Sequence, residues 1–329
     1  MTVRQMLMVS AATLFLSALG TGAAFQGGHE RAKVVLTRSI ELPGTVIQVD
    51  FGEGRFDVGD EVILRHVEGA AEAVATYFGR FPVARARVLI LPEGGRGGVS
   101  QGTTWGHRGG MQGFTRIRVG EKVTPGELKD DWMMTHELVH MAFPDVAEEH
   151  HWIEEGMATY VEPIARVQAG QLEAKTIWRD MMEGMPKGEP EPGDEGLDHT
   201  HTWGRTYWGG GLFCLVADTE IRKQTHNRKG LQDALRAVVD AGGSIDQEWP
   251  LERVFAVGDQ ATGTHVLSTM YKRWSVEPVP VDLAALWGQL GVRRSGDDVE
   301  FDAKAPLAKV REAITRRVAG TGHRLVHEN

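Results

Sequence analysis

The chain has 329 residues, of which 41% are hydrophobic and 25% charged, and its formal net charge is −9. This length is enough for one large domain or two packed subdomains, and no low-complexity tract argues for disorder. The acidic balance gives no indication of a polyanion partner, so we expect no binding of nucleic acid.

The first 24 residues have the pattern of a secretory signal peptide. A single positive charge, Arg4, precedes an apolar run over Met6–Leu19, and small residues follow up to Ala24. The run is shorter than the roughly 20 residues that span a bilayer. We therefore predict cleavage after residues 1–24 and an exported domain, periplasmic or secreted, over 25–329, with no transmembrane segment after cleavage. An uncleaved N-terminal anchor is the alternative.

The next part of the chain combines strands with one helix. β-branched runs interrupted at Pro43-Gly44 indicate strands, and apolar residues at helical spacing indicate a helix that stops before Pro82. The predicted elements are two short strands or a hairpin over 34–51, a helix over 57–81, a strand over 86–91, a Gly-rich connection over 94–113 and a strand over 115–119.

From Pro125 onward the pattern is helical. Pro125 suits the first position of a helix with Thr124 as its N-cap, and this helix should run to about Phe143, before Pro144. Further helices are predicted over 152–168, 172–182, 207–225, 231–241, 251–255, 260–274 and 307–318, with an acidic loop over 184–196 and a hairpin over 292–301. The prediction is an α+β fold, in which a small mixed-sheet subdomain (25–143) packs on a mainly helical subdomain (144–329), with the active site between them.

Residues His136-Glu137-Leu138-Val139-His140 form an HExxH motif inside the predicted helix. Four residues advance a helix by slightly more than one turn, so both imidazoles project from one face, about 6 Å apart along the axis. Their nitrogens can bind one tetrahedral zinc at about 2.0–2.1 Å. Glu137 points about 100° away from His136, from where it can reach the attacking water without taking a metal position. The alternative is an ordinary solvated helix face.

An open zinc site needs a third protein ligand, and the segment from Trp152 to Glu162, WIEEGMATYVE, follows the motif. This segment resembles the W-L-x-E-G-x-A-x-Y-x-E helix of gluzincin peptidases, the group that includes the aminopeptidase N and glycyl aminopeptidase families. The resemblance implies a zincin-like fold with Glu155 as the third ligand. It also makes Glu162 a candidate for orienting a ligand imidazole. Glu154 remains the alternative ligand.

Two more segments resemble the same group. Arg205-Thr206-Tyr207-Trp208-Gly209 is similar to its Y-x-K-G helix start, which implies that Tyr207 donates a hydrogen bond to the oxyanion. The stretch 109–113 is similar to the glycine-containing substrate strand, with Gln112 where the aminopeptidases have the acid that binds a free amino terminus. Arg205 is a candidate clamp for a substrate carboxylate, with an internal ion pair as the alternative.

The resemblance implies a zinc peptidase with one zinc per chain, a peptide or protein substrate and Glu137 as general base for a zinc-activated water. The signal pattern of residues 1–24 makes it an exported one. Two alternatives stay open: a zinc hydrolase of non-peptide substrates, and a catalytically silent, zinc-stabilised binding or assembly protein.

Three further predictions concern residues outside the motifs. The only cysteine, Cys214, lies in an apolar stretch and is predicted to be buried. The pairs His150-His151 and His199/His201 are predicted to be solvated rather than metal-bound. The loop over 184–196 is hypothesised to lie over the cleft.

Overall fold

The computed structural model describes residues 32–318, so the predicted signal segment lies outside the described residues. Five strands form one sheet: β1 (Val34–Leu42), β2 (Thr45–Gly52), β3 (Arg85–Glu93), β4 (Val99–Gly106) and β5 (Gly113–Gly120). The strand order is β1-β2-β3-β5-β4. Strands β2, β3 and β5 are parallel, whereas β1 and β4 are antiparallel edge strands. The sheet is therefore mixed, as the sequence predicts.

Helix α1 (Asp60–Phe78) connects β2 to β3, close to the predicted bounds of 57–81. Its buried side chains, among them Ile63, Val67 and Val74, recur at helical spacing and belong to the same core as the sheet. The helix ends at Gly79, whose φ of 82° is in the left-handed region.

The strands alternate between a core face and an outer face. In β3, Val88 and Ile90 are buried while Arg87 lies on the other face; in β5, Ile117 and Val119 are buried. Because side chains in a strand alternate with a period of two, this register directs one face of the sheet to the helices.

The Gly-rich stretch predicted as a connection over 94–113 contains the edge strand β4, which the sequence analysis missed. Its glycines, such as Gly102, weaken the strand signal that Thr104 and its neighbours give. Pairing with β5 makes it a strand, with Thr104 opposite Thr115. Strand β4 borders the candidate site through Thr104.

The single helix predicted over 125–143 is interrupted. Helix α2 spans Pro125–Asp130 with a capping box at Thr124, and α3 spans Met133–Val139, followed by a 3₁₀ turn over His140–Ala142. The break is at Asp131, which has extended backbone angles. Its carboxylate accepts hydrogen bonds from the backbone N–H groups of Met133 and Met134, so one short acidic side chain caps the new helix.

The remainder is mainly helical: α4 (His151–Gln168), α5 (Ala174–Gly184), α6 (Gly210–Gln224), α7 (Leu231–Asp240), α8 (Leu251–Thr262), α9 (Val266–Trp274), α10 (Leu283–Leu290) and α11 (Ala308–Ile314). A hairpin, β6 (Val292–Ser295) and β7 (Asp298–Phe301), precedes α11, as predicted. Helix α10 was not predicted, because its eight residues are too short to show a clear period. Within residues 32–318, none of the helices has the length and apolar character needed to cross a membrane.

Helices α4 and α6 pack closely at two glycines. A Cβ atom on Gly156 would overlap the backbone of Gly210, so the two helix axes approach more closely than side chains would permit. Cys214, one turn farther along α6, is buried as predicted. This contact fixes α4 against the segment that carries Tyr207.

Candidate metal centre and active site

Three candidate ligands converge where α3 meets α4. The Nε2 atom of His136 lies 3.1 Å from Oε2 of Glu155, and Nε2 of His140 lies 3.7 Å from the same oxygen. The two imidazole rings have centroids 4.9 Å apart and are nearly perpendicular. One donor atom from each residue lies within 4.8 Å of the others. The helix spacing of the motif therefore does place both imidazoles on one face.

The donor set suits zinc. Atoms bound at about 2.0–2.1 Å to a tetrahedral zinc lie roughly 3.3 Å apart. The 3.1 and 3.7 Å between the two imidazole nitrogens and Glu155 Oε2 are close to that value, and two imidazoles with one carboxylate leave a fourth position open. Of the two adjacent glutamates, Glu155 meets both imidazoles, while Glu154 Oε2 lies 3.1 Å from Nδ1 of His151. The Nδ1 atom of His136 is buried without a hydrogen-bond partner among the described residues.

The carboxylate of Glu155 is held in its charged form. Burial by itself raises the pKa of Glu155, but the charge of His140, the hydrogen bond with His136 and the charge of His136 together lower that pKa to about 2. An ionised carboxylate is the form that binds a metal ion.

Glu137 lies beside the edge strand β4. The Thr104 hydroxyl donates to Oε2 of Glu137 at 2.7 Å and lies 3.0 Å from the Glu137 carbonyl oxygen. Burial raises the pKa of Glu137, while the charge of His140 and the hydrogen bond from Thr104 act in the opposite direction. A carboxylate with a raised pKa is better matched to proton transfer near neutral pH than an ordinary one.

Tyr207 lies on a π-helical segment, Gly204–Gly209, that leads into α6. Its ring is stacked at 22° on the ring of His136, with centroids 6.2 Å apart. Burial and then the charges of Glu155 and Glu137 raise the pKa of Tyr207 well above its usual value. The phenol therefore stays protonated and can donate a hydrogen bond within the site.

The other predicted site residues have partners within the protein. Nε of Arg205 lies 2.6 Å from Oδ2 of Asp194, and both side chains are buried. Glu162 accepts a hydrogen bond from Arg166 at 3.0 Å; burial raises the pKa of Glu162 to about 7, with Arg166 opposing that shift.

Gln112 lies in the turn between β4 and β5. Its side-chain oxygen accepts from the backbone N–H groups of Ala84 and Arg85, and its amide donates to Asp246. The sequence resemblance gave 109–113, with Gln112, as the substrate strand. The strand residues that contact Glu137 are Gly102 and Thr104 of β4. Sequence reasoning missed both; the signal available was the strand propensity of Thr103–Trp105 within the Gly-rich stretch.

The loop that begins after α5 contacts the start of α4 through Asp198. Asp198 accepts a hydrogen bond from the indole N–H of Trp152 at 2.6 Å and lies 2.9 Å from Nδ1 of His150. The side chain of His150 is therefore 11% exposed and bonded to Asp198, whereas the sequence predicted a solvated histidine. His151 is exposed, as predicted, and besides Glu154 its Nε2 lies 3.4 Å from Oε1 of Glu155.

Comparison with known proteins identifies the fold. An aminopeptidase N family protein from Idiomarina loihiensis is structurally similar to this chain, with a TM-score of 0.59 and 14% sequence identity over 78% of this chain and 49% of that one. An M1 zinc metallopeptidase from Deinococcus radiodurans has a TM-score of 0.48 and 15% identity, over 75% of this chain and 52% of that one.

The chain thus spans about half the length of these solved structures. No family model matches the sequence, and no curated protein matches it. The fold is nevertheless similar to that of the aminopeptidase N family protein, as the sequence resemblance implies.

Proposed function

We propose that this chain is an exported, zinc-dependent peptidase that hydrolyses peptide bonds with Glu137 as general base. The observation that carries the proposal is the convergence of His136 Nε2, His140 Nε2 and Glu155 Oε2 beside the buried carboxylate of Glu137. In this proposal residues 1–24 are a signal peptide and residues 25–329 form the mature domain.

His136, His140 and Glu155 would hold a zinc ion, which would supply Lewis acidity for an attacking water and a substrate carbonyl. Glu137 is positioned to accept the proton of the attacking water and to return it to the leaving amine. Thr104 keeps the Glu137 carboxylate oriented through the 2.7 Å hydrogen bond. Tyr207 donates a hydrogen bond to the developing oxyanion, an interaction typically worth about 3–4 kcal/mol in the transition state.

A peptide is favoured as substrate because the fold is similar to that of an aminopeptidase N family protein. A zinc hydrolase with a non-peptide amide or ester substrate would use the same groups, since the chemistry at the metal is shared. A silent zinc-stabilised protein is disfavoured by Glu137, because a structural zinc needs no base and prefers four protein ligands.

The test combines metal content with peptide hydrolysis. We expect about one zinc per purified chain by elemental analysis, and loss of that zinc in His140→Ala and Glu155→Ala. Glu137→Gln should retain zinc, and its kcat for a peptide that the parent protein cleaves should be about 10²–10⁴-fold lower. As a matched control, Glu154→Gln changes the neighbouring carboxylate and should keep both metal and activity.

Three outcomes would contradict the proposal in different ways. Absence of zinc after remetallation would remove the metal centre. If the protein binds zinc and cleaves no peptide, but cleaves esters or other amides in a Glu137-dependent way, the non-peptidase hydrolase is favoured. Zinc without any Glu137-dependent turnover would favour the binding protein.

A further inference from the structure

Two tryptophans beside the metal centre are unusually exposed. Trp203 is 61% exposed and Trp132 is 38% exposed, and they are the aromatic residues among the exposed large hydrophobic side chains of the described part of the chain. A large apolar ring left in water contributes little to folding, and exposed apolar surface next to a cleft is typical of ligand binding.

Both tryptophans contact residues of the candidate site. The ring of Trp132 meets that of His136 edge-on, with centroids 5.2 Å apart. The ring of Trp203 is stacked on that of Tyr207 at 28°, with centroids 5.9 Å apart. Each tryptophan precedes its partner by four residues, which is about one helical turn, so the local backbone itself brings each pair of rings together.

The four rings form a continuous row, which we call the aromatic row: Trp132, His136, Tyr207 and Trp203. The planes of His136, Tyr207 and Trp203 are inclined by less than 30° from one ring to the next, whereas Trp132 stands at 90° to His136. The row therefore extends from a metal ligand, past the predicted oxyanion donor, to a tryptophan at the surface.

We infer that the aromatic row is the specificity surface of the site and selects peptides with a large apolar side chain, aromatic above all, next to the scissile bond. This inference rests on the proposed peptidase function. Its chemical basis is that an aromatic side chain stacks on the exposed indole rings of Trp132 and Trp203 and removes apolar surface of both partners from water. A glycine or small polar residue at the same position would leave Trp132 and Trp203 exposed.

The first experiment compares matched peptides. Internally quenched peptides that differ only in phenylalanine or glycine on either side of the scissile bond would be cleaved by the full-length zinc-loaded protein, with cleavage positions assigned by mass spectrometry. We expect Trp203→Ala and Trp132→Ala each to lower kcat/KM for the phenylalanine peptide about 10- to 100-fold. The glycine peptide should change by less than about threefold.

Two further variants serve as controls. Trp203→Phe retains an aromatic surface and should recover most of the preference for phenylalanine. Val46→Ala alters an exposed apolar side chain on β2 that lies outside the aromatic row, and it should leave both peptides unaffected. An equal loss on the phenylalanine and glycine peptides in Trp203→Ala and Trp132→Ala would overturn the inference, because the tryptophans would then act on the site and not on specificity.

A binding measurement separates this inference from the proposed function. The Glu137→Gln variant is titrated with the same peptides by calorimetry, so that turnover is not required. Tighter binding of the phenylalanine peptide, lost on adding Trp203→Ala, would support the aromatic row even if the parent cleaved no peptide. Equal binding of both peptides would overturn it, even if Glu137-dependent hydrolysis were demonstrated.

Discussion

At the scale of single residues, the space around Glu137 depends on the missing side chain of Gly102. A Cβ atom at position 102 would lie 2.5 Å from Cγ and 2.6 Å from Oε1 of Glu137. The Glu137 carboxylate is also held by Thr104 on the same strand. The proposed base thus takes its orientation from β4 and not from its own helix alone.

We therefore expect Gly102→Ala to displace the Glu137 carboxylate. Because a misplaced catalytic group loses much of its effect, kcat should fall about 10²-fold, while zinc content stays near one per chain. Kinetics and elemental analysis of the same preparation test this. Gly126→Ala is the matched control, because the nearest atom to its added Cβ is 3.9 Å away. Full activity of Gly102→Ala would show that Glu137 does not need this space.

At the scale of elements, the π-helical segment that carries Tyr207 is held by a buried ion pair. Arg205 contacts Asp194 at 2.6 Å and also donates a hydrogen bond to the Gly188 carbonyl, so it links the acidic loop to this segment. Burial lowers the pKa of Arg205, and the charge of Asp194 opposes that shift. The loop thus supports the position of Tyr207, whatever its effect on access to the cleft.

Replacing Asp194 by asparagine should remove the nearest counter-ion of the buried Arg205 charge. Removing one partner of a buried pair typically lowers the free energy of unfolding by about 3–5 kcal/mol, which denaturant titration would measure. We also expect kcat to fall more than KM changes, because Tyr207 lies on the same segment. The control is Glu277→Gln, which breaks the exposed Arg273–Glu277 pair and should cost less than about 1 kcal/mol. Similar losses in the two variants would refute this account.

At the scale of the whole molecule, the candidate metal centre joins the two parts of the fold. His136 and His140 come from α3 and the turn after it, which follow the sheet, whereas Glu155 comes from the first helix of the helical part. A ligand that binds the folded state and not the unfolded chain stabilises the fold by mass action. Zinc should therefore increase the stability of both parts together.

Removal of the metal is expected to lower the melting temperature. At a hundredfold excess of zinc over its Kd, binding contributes about 2.7 kcal/mol, which corresponds to roughly 4 °C in a domain of about 300 residues. Calorimetry with and without a chelator measures the shift. His140→Ala should show no chelator-dependent shift, and a parent protein whose Tm is insensitive to chelator would contradict a zinc site shared by the two parts.

The sequence by itself determined the residues whose relation is local. His136, Glu137 and His140 lie within one turn or so of a helix, and helical geometry fixes their relative directions. The α+β order, the main strands of the sheet and most helices also follow from periodicity along short windows. Glu155 became a candidate through its own segment, WIEEG, and not through any contact with the histidines.

Only the tertiary structure decided which distant residues meet. Thr104 reaches Glu137 across 33 positions of the chain, Arg205 pairs with Asp194, and Gln112 bonds to Asp246. No local pattern encodes these pairs, because they depend on how strands and helices pack. The strand β4 was missed for the same reason: a Gly-rich segment becomes a strand by pairing with β5, and pairing is a property of the folded chain.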